Sequence, residues 1–409
     1  MRELAIHGGE PVRTRPWPTW PVFDETDEQA LIGILRSGLW GIDGKQVTRF
    51  AETFAAFQGS QFALCLTNGT AALEVALIAC GVRVGDEVIV PAYTFVATAS
   101  SVLSIGAVPI FADIDPETFE LDAERVEEAV TRRTKAIIPV HMGGGPPDMD
   151  SIMAVARKHG LKVIEDAAQA HGTEWRGTPV GSIGHAGTFS FQSSKNLAAG
   201  EGGAITTNDA ILYDRAWRMI NLGRRPGGAW YEHPVLGSNF RMTEFQAGLL
   251  SNQIKRLPEQ AARREENGTY LASRLGEGRG LTACKRDPRI TRHAYHLFMM
   301  RYDASAFEGV PKARFIEAMT AEGIPFAPGY SKPLYREEAF RRDQRVLDVL
   351  NAHGGGIDYS KAVCPVAERV CSDQAVWLFQ SALLGDREDM DDVVGALDKL
   401  RLRASDLRD

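Results

Sequence analysis

Between about residues 61 and 206, short apolar runs alternate with amphipathic stretches of helical length. That alternation narrows the possible fold more than any other feature of the chain. Phe62–Leu66, Glu87–Val90, Val108–Phe111, Ala136–Val140 and Lys162–Ile164 read as strands, with helices over Thr70–Cys80, Val96–Ile105 and Met149–His159. Thr188–Phe191 and Ala204–Thr207 extend the strand set. Strands alternating with helices of this length predict βαβ units, hence an α/β fold on a largely parallel sheet. Ligands of such sheets bind beyond the carboxyl ends of the strands, so chemistry is expected in the residues just after each one.

The pattern changes on either side. The first forty residues read as an irregular arm. Arg15-Pro-Trp-Pro-Thr-Trp-Pro21 cannot be an interior helix, because each proline lacks a donor and fixes φ. Residues from about 209 to 275 are helix-rich. Beyond Gly276–Gly280, His296–Tyr302 predicts a strand, Pro311–Glu322 a helix, and Ser372–Leu400 has helical periodicity. The expected organisation is an arm over 1–40, a large domain over 41–270, and a smaller α+β domain over 271–409. A chain of 409 residues has room for two or three domains, each with a sizeable core.

Composition removes several function classes. Forty-six basic against 53 acidic residues give a net charge of −7, the wrong sign for a nucleic-acid scaffold or an anionic membrane surface. No run approaches the 18 apolar residues of a membrane span, and the opening MRELAIHGGEP lacks a charged-then-apolar signal pattern. The five cysteines are scattered and contain no CxxC pair, so neither a zinc site nor a disulfide framework is indicated. A cytoplasmic enzyme is the expectation.

Three segments stand where chemistry is expected. Asn68-Gly69-Thr70 lies between a strand and a helix, whose free N–H groups and positive dipole end suit a phosphate. Taken alone, it is also what a simple helix cap looks like. Asp166 follows a strand and precedes small residues, where a carboxylate can hold a protonated ring nitrogen by a charge-assisted hydrogen bond. Taken alone, it also reads as a capping loop residue. Thr188–Gly203 runs from a strand through a hydroxyl-rich turn to Lys195, then to a glycine-dense turn. Most lysines are solvated. One held among packed aromatics and glycines is easily desolvated, which lowers its pKa and makes it nucleophilic. A phosphate-binding helix start, an aspartate for a ring nitrogen and a Schiff-base lysine together fit pyridoxal phosphate.

The chain resembles the sugar aminotransferases of the DegT/DnrJ/EryC1/StrS family, a branch of the fold-type-I enzymes. The resemblance rests on Thr67-Asn-Gly-Thr-Ala-Ala72, Val90-Pro-Ala-Tyr-Thr-Phe95, Pro139-Val-His141, Glu165-Asp-Ala-Ala-Gln-Ala-His-Gly172, Phe189-Ser-Phe191, Lys195…Gly200-Glu-Gly-Gly203 and Ser238-Asn-Phe-Arg-Met-Thr-Glu-Phe-Gln-Ala247. It implies that Lys195 carries the cofactor and shuttles the α-proton. It implies that Asp166 pairs with the ring nitrogen, Gln169 bonds the phenolic oxygen and Phe95 stacks on the ring face. Gly69, Thr70 and Ser190 would hold the phosphate, joined by Asn239 from the neighbouring subunit of a homodimer. His141, His171 and Arg241 match positions near the site without an assigned role.

The resemblance also narrows the substrate. Relatives that remove a sugar hydroxyl carry histidine in place of Lys195, which disfavours that reaction here. Gln192 stands where many sugar-nucleotide enzymes have histidine. Trp17-Pro-Thr-Trp-Pro21 resembles the start of the cyclitol and aminohydroxybenzoate enzymes. Cys364-Pro-Val-Ala-Glu-Arg369, Val376-Trp-Leu378 and Leu384-Gly-Asp-Arg-Glu-Asp-Met390 look like the carboxyl ends of inosose aminotransferases. The reading is amino transfer from L-glutamine or L-glutamate to a cyclitol ketone, in ping-pong fashion, as in aminocyclitol antibiotic biosynthesis. Tyr330 in Ala327-Pro-Gly-Tyr330 is a candidate acceptor contact. The alternatives are a nucleotide-linked keto-sugar acceptor, an aminohydroxybenzoate-type activity and a non-catalytic, cofactor-binding regulatory protein. Three tempting features are discounted. Gly143-Gly-Gly145 lacks P-loop spacing. His293-x-x-His296 lacks partners for a metal set and reads as structural or surface. Arg224-Arg225 reads as a solvated loop.

Overall fold

In the computed structural model, residues 3–407 are described; positions 1, 2, 408 and 409 of the expected arm and small domain lie outside them. The strands in chain order are β1 Phe62–Leu66, β2 Glu87–Pro91, β3 Val108–Ala112, β4 Thr134–Ile137, β5 Lys162–Asp166, β6 Glu174–Trp175, β7 Thr178–Pro179, β8 Ala186–Ser190, β9 Gly203–Thr207, β10 Leu281–Ala283, β11 Ile290–Arg292, β12 Leu297–Tyr302 and β13 Ala375–Phe379. Seven of them form the central sheet in the order β1-β9-β8-β5-β4-β2-β3. Pairings β2–β3, β2–β4, β4–β5 and β5–β8 are parallel, while β9 runs antiparallel to both β8 and β1. Every residue of β2, β8 and β9 is buried, as expected of strands covered on both faces.

The covering helices are α1 Glu25–Ser37, α2 Gln46–Phe57, α3 Gly69–Ala79, α4 Ala97–Ser104, α5 Ala123–Ala129, α6 Met149–His159, α7 Ala210–Ile220 and α8 Glu244–Arg274. The small side chains of α3, Ala71, Ala72, Ala76 and Ala79 among them, are buried together with Leu73, Val75 and Leu77. They let the helix lie directly against the sheet. A second core gathers Leu281, Phe298, Met300, Phe315, Val376 and Leu397 around the antiparallel sheet β10-β12-β13. Among the described residues no helix is long and apolar enough to cross a membrane.

The α/β class and the order of the βαβ units match the sequence reading. Three expectations are corrected. Residues 372–400 are not one helical stretch: Ala375–Phe379 is the strand β13, and the helix occupies Arg387–Leu402. The continuous apolar run Ala-Val-Trp-Leu-Phe pairs with β12 and is buried at its first four positions, a pattern that periodicity alone does not separate from helix. The first forty residues are not irregular throughout, since Glu25–Ser37 is a helix with an Asp24/Asp27 capping box. The fourth strand ends at Ile137, because Pro139 has no N–H to continue the ladder.

Ahead of α1 a single 3-10 turn, Ala5–His7, and the irregular chain after it lie on the small domain. The Ala5 and Val12 amides donate to the Glu322 carboxylate at 2.9 and 3.0 Å. Arg13 donates to Asp389 at 2.6 Å and to Asp392 at 2.8 Å, and the Trp17 indole to the Gly323 carbonyl at 2.8 Å. Leu4 belongs to the small-domain core.

Candidate active site

A cavity of about 790 Å³ opens at the carboxyl ends of β5 and β8, walled on one side by the small domain. Its lining includes Gly69, Thr70, Phe95, Asp166, Gln169, Ser190, Gln192, Lys195 and Tyr330. The sequence distributes these residues over about 260 positions. The parallel topology gathers all of them but Tyr330, because each follows a strand that ends on the same side of the sheet; Tyr330 comes from the small domain.

Asn68 caps α3, its side chain accepting from the Ala71 amide at 2.8 Å, which leaves the first turn pointing into the cavity. Two glycines make the approach possible. A Cβ on Gly69 would lie 2.9 Å from Ser190 Cβ, and one on Gly203 only 2.4 Å from the Asn68 carbonyl oxygen. The helix start and the Ser190 hydroxyl, set close against β9, thus form a cradle of donors of the kind that holds a phosphate.

Asp166 ends β5 with 6% of its surface exposed. Its Oδ2 accepts from the Thr98 hydroxyl at 2.8 Å, and Oδ1 accepts from the Ala168 amide at 3.3 Å. Burial pushes this carboxyl above its ordinary range, against those two bonds and the nearby Lys195. Burial acts in the opposite sense on Lys195, lowering its pKa, and the Asp166 charge partly offsets this. Desolvation is what activates the amine, and it outweighs the carboxylate's opposing pull.

The lysine loop is held by its own polar groups. The Lys195 amide donates to the Gln192 carbonyl at 2.9 Å, and the Ser193 amide to Gly200 at 3.0 Å. Gln192 Oε1 accepts from the Ser194 amide and hydroxyl, and its Nε2 donates to the Ser193 hydroxyl. Gln192 therefore lines the cavity while its amide caps the loop. Gln169 Oε1 accepts from the Gly143 amide at 2.8 Å, and its side chain also bonds the Tyr330 hydroxyl. Tyr330 packs edge-on against Tyr93 and Trp377, and burial raises its pKa. Phe95, 57% exposed, stands over the opening.

His171, Asn239 and Arg241 are not brought to this cavity. His171 is fully buried against the rings of Phe189 and Phe191, and burial lowers its pKa to about 3. Asn239 and Arg241 line a separate groove of about 690 Å³ beside β1, while Phe240 between them faces the cavity. His141 is fully buried and bonds Glu165 at 2.9 Å, and the Glu165 carboxylate also accepts the Gly181, Ile183 and Gly184 amides.

The sequence reading passed over other contributors. Thr98 becomes visible only once the first turn of α4 is seen to meet Asp166 at the end of β5. His296, read as structural or surface, is buried on the cavity wall and bonded to Asn196 at 3.2 Å. Trp377 and Phe379 reach the cavity from β13, the strand misread as helix. Among the described lining residues Lys195 is the one lysine or arginine, against the acids Glu74, Asp166 and Glu201.

A profile of the DegT/DnrJ/EryC1/StrS aminotransferase family matches residues 21–398. The chain belongs to that family. Within it, the chain is 41% identical to the L-glutamine:2-deoxy-scyllo-inosose aminotransferase of Streptoalloteichus tenebrarius, over 99% of each chain. Among solved structures of the family's fold, 3-amino-5-hydroxybenzoic acid synthase superposes with a TM-score of 0.84 at 35% identity, covering 96% of this chain and all of that one. NtdA from Bacillus subtilis, determined with the bound cofactor PMP, superposes at 0.79 with 26% identity, covering 92% of this chain and 82% of its own. DegT/DnrJ/EryC1/StrS aminotransferases are pyridoxal phosphate enzymes of fold type I, and the donor set described above fits that cofactor: a phosphate cradle, a buried carboxylate and an unpaired amine.

Proposed function

We propose that this aminotransferase moves an amino group from L-glutamine, or L-glutamate, to the ring ketone of a free cyclitol such as 2-deoxy-scyllo-inosose, in aminocyclitol biosynthesis. The observation that carries the choice is the full-length likeness, at 41% identity, to an enzyme named for that reaction. The charge of the cavity supports it. A nucleotide-linked sugar brings a diphosphate that calls for cationic partners. The lining of this chain offers Lys195 alone, with Glu74 and Glu201 nearby, and so favours a neutral polyol.

In the holoenzyme Asp166 holds the ring nitrogen, Gln169 the phenolic oxygen and Phe95 one ring face. Gly69, Thr70 and Ser190 hold the phosphate. Bound there, pyridoxal phosphate supplies an electron sink for the charge left when an α-proton departs. Lys195 Nζ, its pKa lowered by desolvation, takes that proton from Cα of the amino donor. In the second half of the cycle the same Nζ delivers a proton to the ring carbon that acquires the amine. Tyr330, anchored by Gln169, positions the acceptor from the small-domain side, and Trp377 and Phe379 exclude water. Asn239 reaches the phosphate of the partner's site in a homodimer. The exposed apolar residues Tyr231 and Leu236, 87% and 97% exposed in the single chain, support that pairing. Five free cysteines suit the reducing cytoplasm.

The test follows the second half-reaction. Enzyme loaded with pyridoxamine phosphate and freed of donor should regain its yellow absorption on adding scyllo-inosose or its 2-deoxy analogue. Recovery only with a nucleotide-linked keto-sugar would replace the proposed acceptor. A protein that gives no change with any donor or acceptor would be the regulatory binder.

A further inference from the structure

Trp20 leaves the N-terminal arm to touch the lysine loop. Its indole N–H donates to the Ser193 carbonyl at 3.0 Å, two residues before Lys195. The face of the same ring lies 5.2 Å from the guanidinium of Arg264. Arg264, on α8, is fully buried, and its Nε donates to Gln380 at 2.9 Å just past β13. Its two terminal nitrogens have no hydrogen-bond partner. A buried guanidinium without a carboxylate needs compensation, and an aromatic face supplies part of it. Trp20 therefore meets two groups at once, a charge in the floor of the domain and a backbone carbonyl of the catalytic loop.

Between Gln192 and Lys195 the other bonds are internal or go to the loop's own glycine turn: Lys195 to Gln192, Ser194 to Gln192, Ser193 to Gly200. Beyond Lys195, Asn196 donates to the Ala294 carbonyl at 2.8 Å and bonds His296 at 3.2 Å. The internal bonds fix the shape of the turn and Asn196 holds its far end, while at Ser193, ahead of Lys195, the bond that leaves the loop is the one from Trp20. The Trp20–Ser193 bond ties it to a segment anchored elsewhere, through Trp17 and Arg13, on the small domain. We infer that Trp20 is a positioning residue for Lys195, holding the lysine loop in register with the cavity from the arm. The inference rests on the reading of Lys195 as the catalytic amine.

The test compares wild-type holoenzyme with Trp20→Phe, which keeps a ring over Arg264 and removes the N–H. Trp20→Tyr repeats the comparison with a second ring, so that a folding defect in one variant does not decide the matter. Hydrogen exchange in the peptide covering 189–199 should rise about fivefold, the effect of one lost hydrogen bond, while strand 87–91 keeps its protection. In the same variants kcat should fall by about the same factor with the donor KM unchanged, and the acid limb of its pH profile should move. Unchanged exchange around Ser193, or a uniform rise across the whole protein, would overturn the assignment. Wild-type enzyme that transaminates nothing would sink the functional reading instead and leave the exchange comparison standing.

Discussion

The Thr98 hydroxyl donates to Asp166 Oδ2 across 2.8 Å, in a pocket where the carboxylate is almost wholly buried. The bond occupies the oxygen on the α4 side and favours the ionised form that a ring nitrogen needs. Thr98→Val should lower kcat by about tenfold, the worth of a hydrogen bond to a charged group, and leave the phosphate contacts untouched. Steady-state kinetics and a cofactor-binding titration check both halves.

Asp166→Asn should separate activity from stability. Turnover should fall by at least about a hundredfold, because a preorganised charge is lost where charge develops. The apo protein should respond in the other direction. Burial raises the Asp166 carboxyl above its ordinary 3.8, so keeping it ionised costs stability at neutral pH, and the wild type recovers that stability as pH falls through the raised value. The apo variant should therefore melt above wild type near about pH 8, with a margin that narrows towards about pH 4. Thermal melts across that range decide it.

His171 is predicted to be dispensable for catalysis. Its pKa is lowered from 6.5 to about 3, so in the fold it stays neutral where the unfolded chain takes up a proton. Stability should fall as pH drops from 6.5 towards 3, and His171→Phe, which suits a site against two phenylalanine rings, should remove that share of the acid sensitivity. Activity near neutral pH should stay within about threefold of wild type, since core swaps that roughly keep shape and volume cost little. A large loss of kcat at unchanged Tm would give His171 a chemical role.

Tyr330→Phe removes a hydroxyl held by Gln169. The acceptor KM should rise by about five- to tenfold, a lost hydrogen bond, while the donor half-reaction keeps its rate. Rapid-mixing measurement of the two half-reactions separately distinguishes this from a general loss of cofactor binding.

Asn239 is exposed and outside the cavity of its own chain. If it serves the partner's site, Lys195→Ala and Asn239→Ala proteins should each be impaired alone, and a refolded mixture should regain activity. Each mixed dimer holds one site with both residues intact. A mixture no more active than its parts would place Asn239 outside the chemistry.

Much of this site was legible because the fold class is. Once strands and helices alternate, Asp166, Ser190 and the start of α3 must end on one side of the sheet, whatever their separation in sequence. Lys195 was legible from its glycine-dense company. What escaped reading depends on packing between elements. Thr98 carries no sequence signal, since it is one hydroxyl in a short helix. His296 looked like half of an unmatched pair. Trp377 and Phe379 were hidden by a strand whose side chains are apolar on both faces, the case where neither period shows. Gln192 illustrates the reverse, a residue singled out for the substrate whose amide is spent on capping its own loop.

The cavity's two walls belong to different supports. The groups that would hold the cofactor stand on the ends of the central strands, whereas Tyr330, Trp377 and Phe379 come from the small domain. Selectivity and chemistry can thus drift independently along the lineage. For an engineer, the segments around 327–330 and 375–380 form a cartridge: exchanging them between relatives should redirect the acceptor while the lysine, its carboxylate and the phosphate cradle remain as inherited.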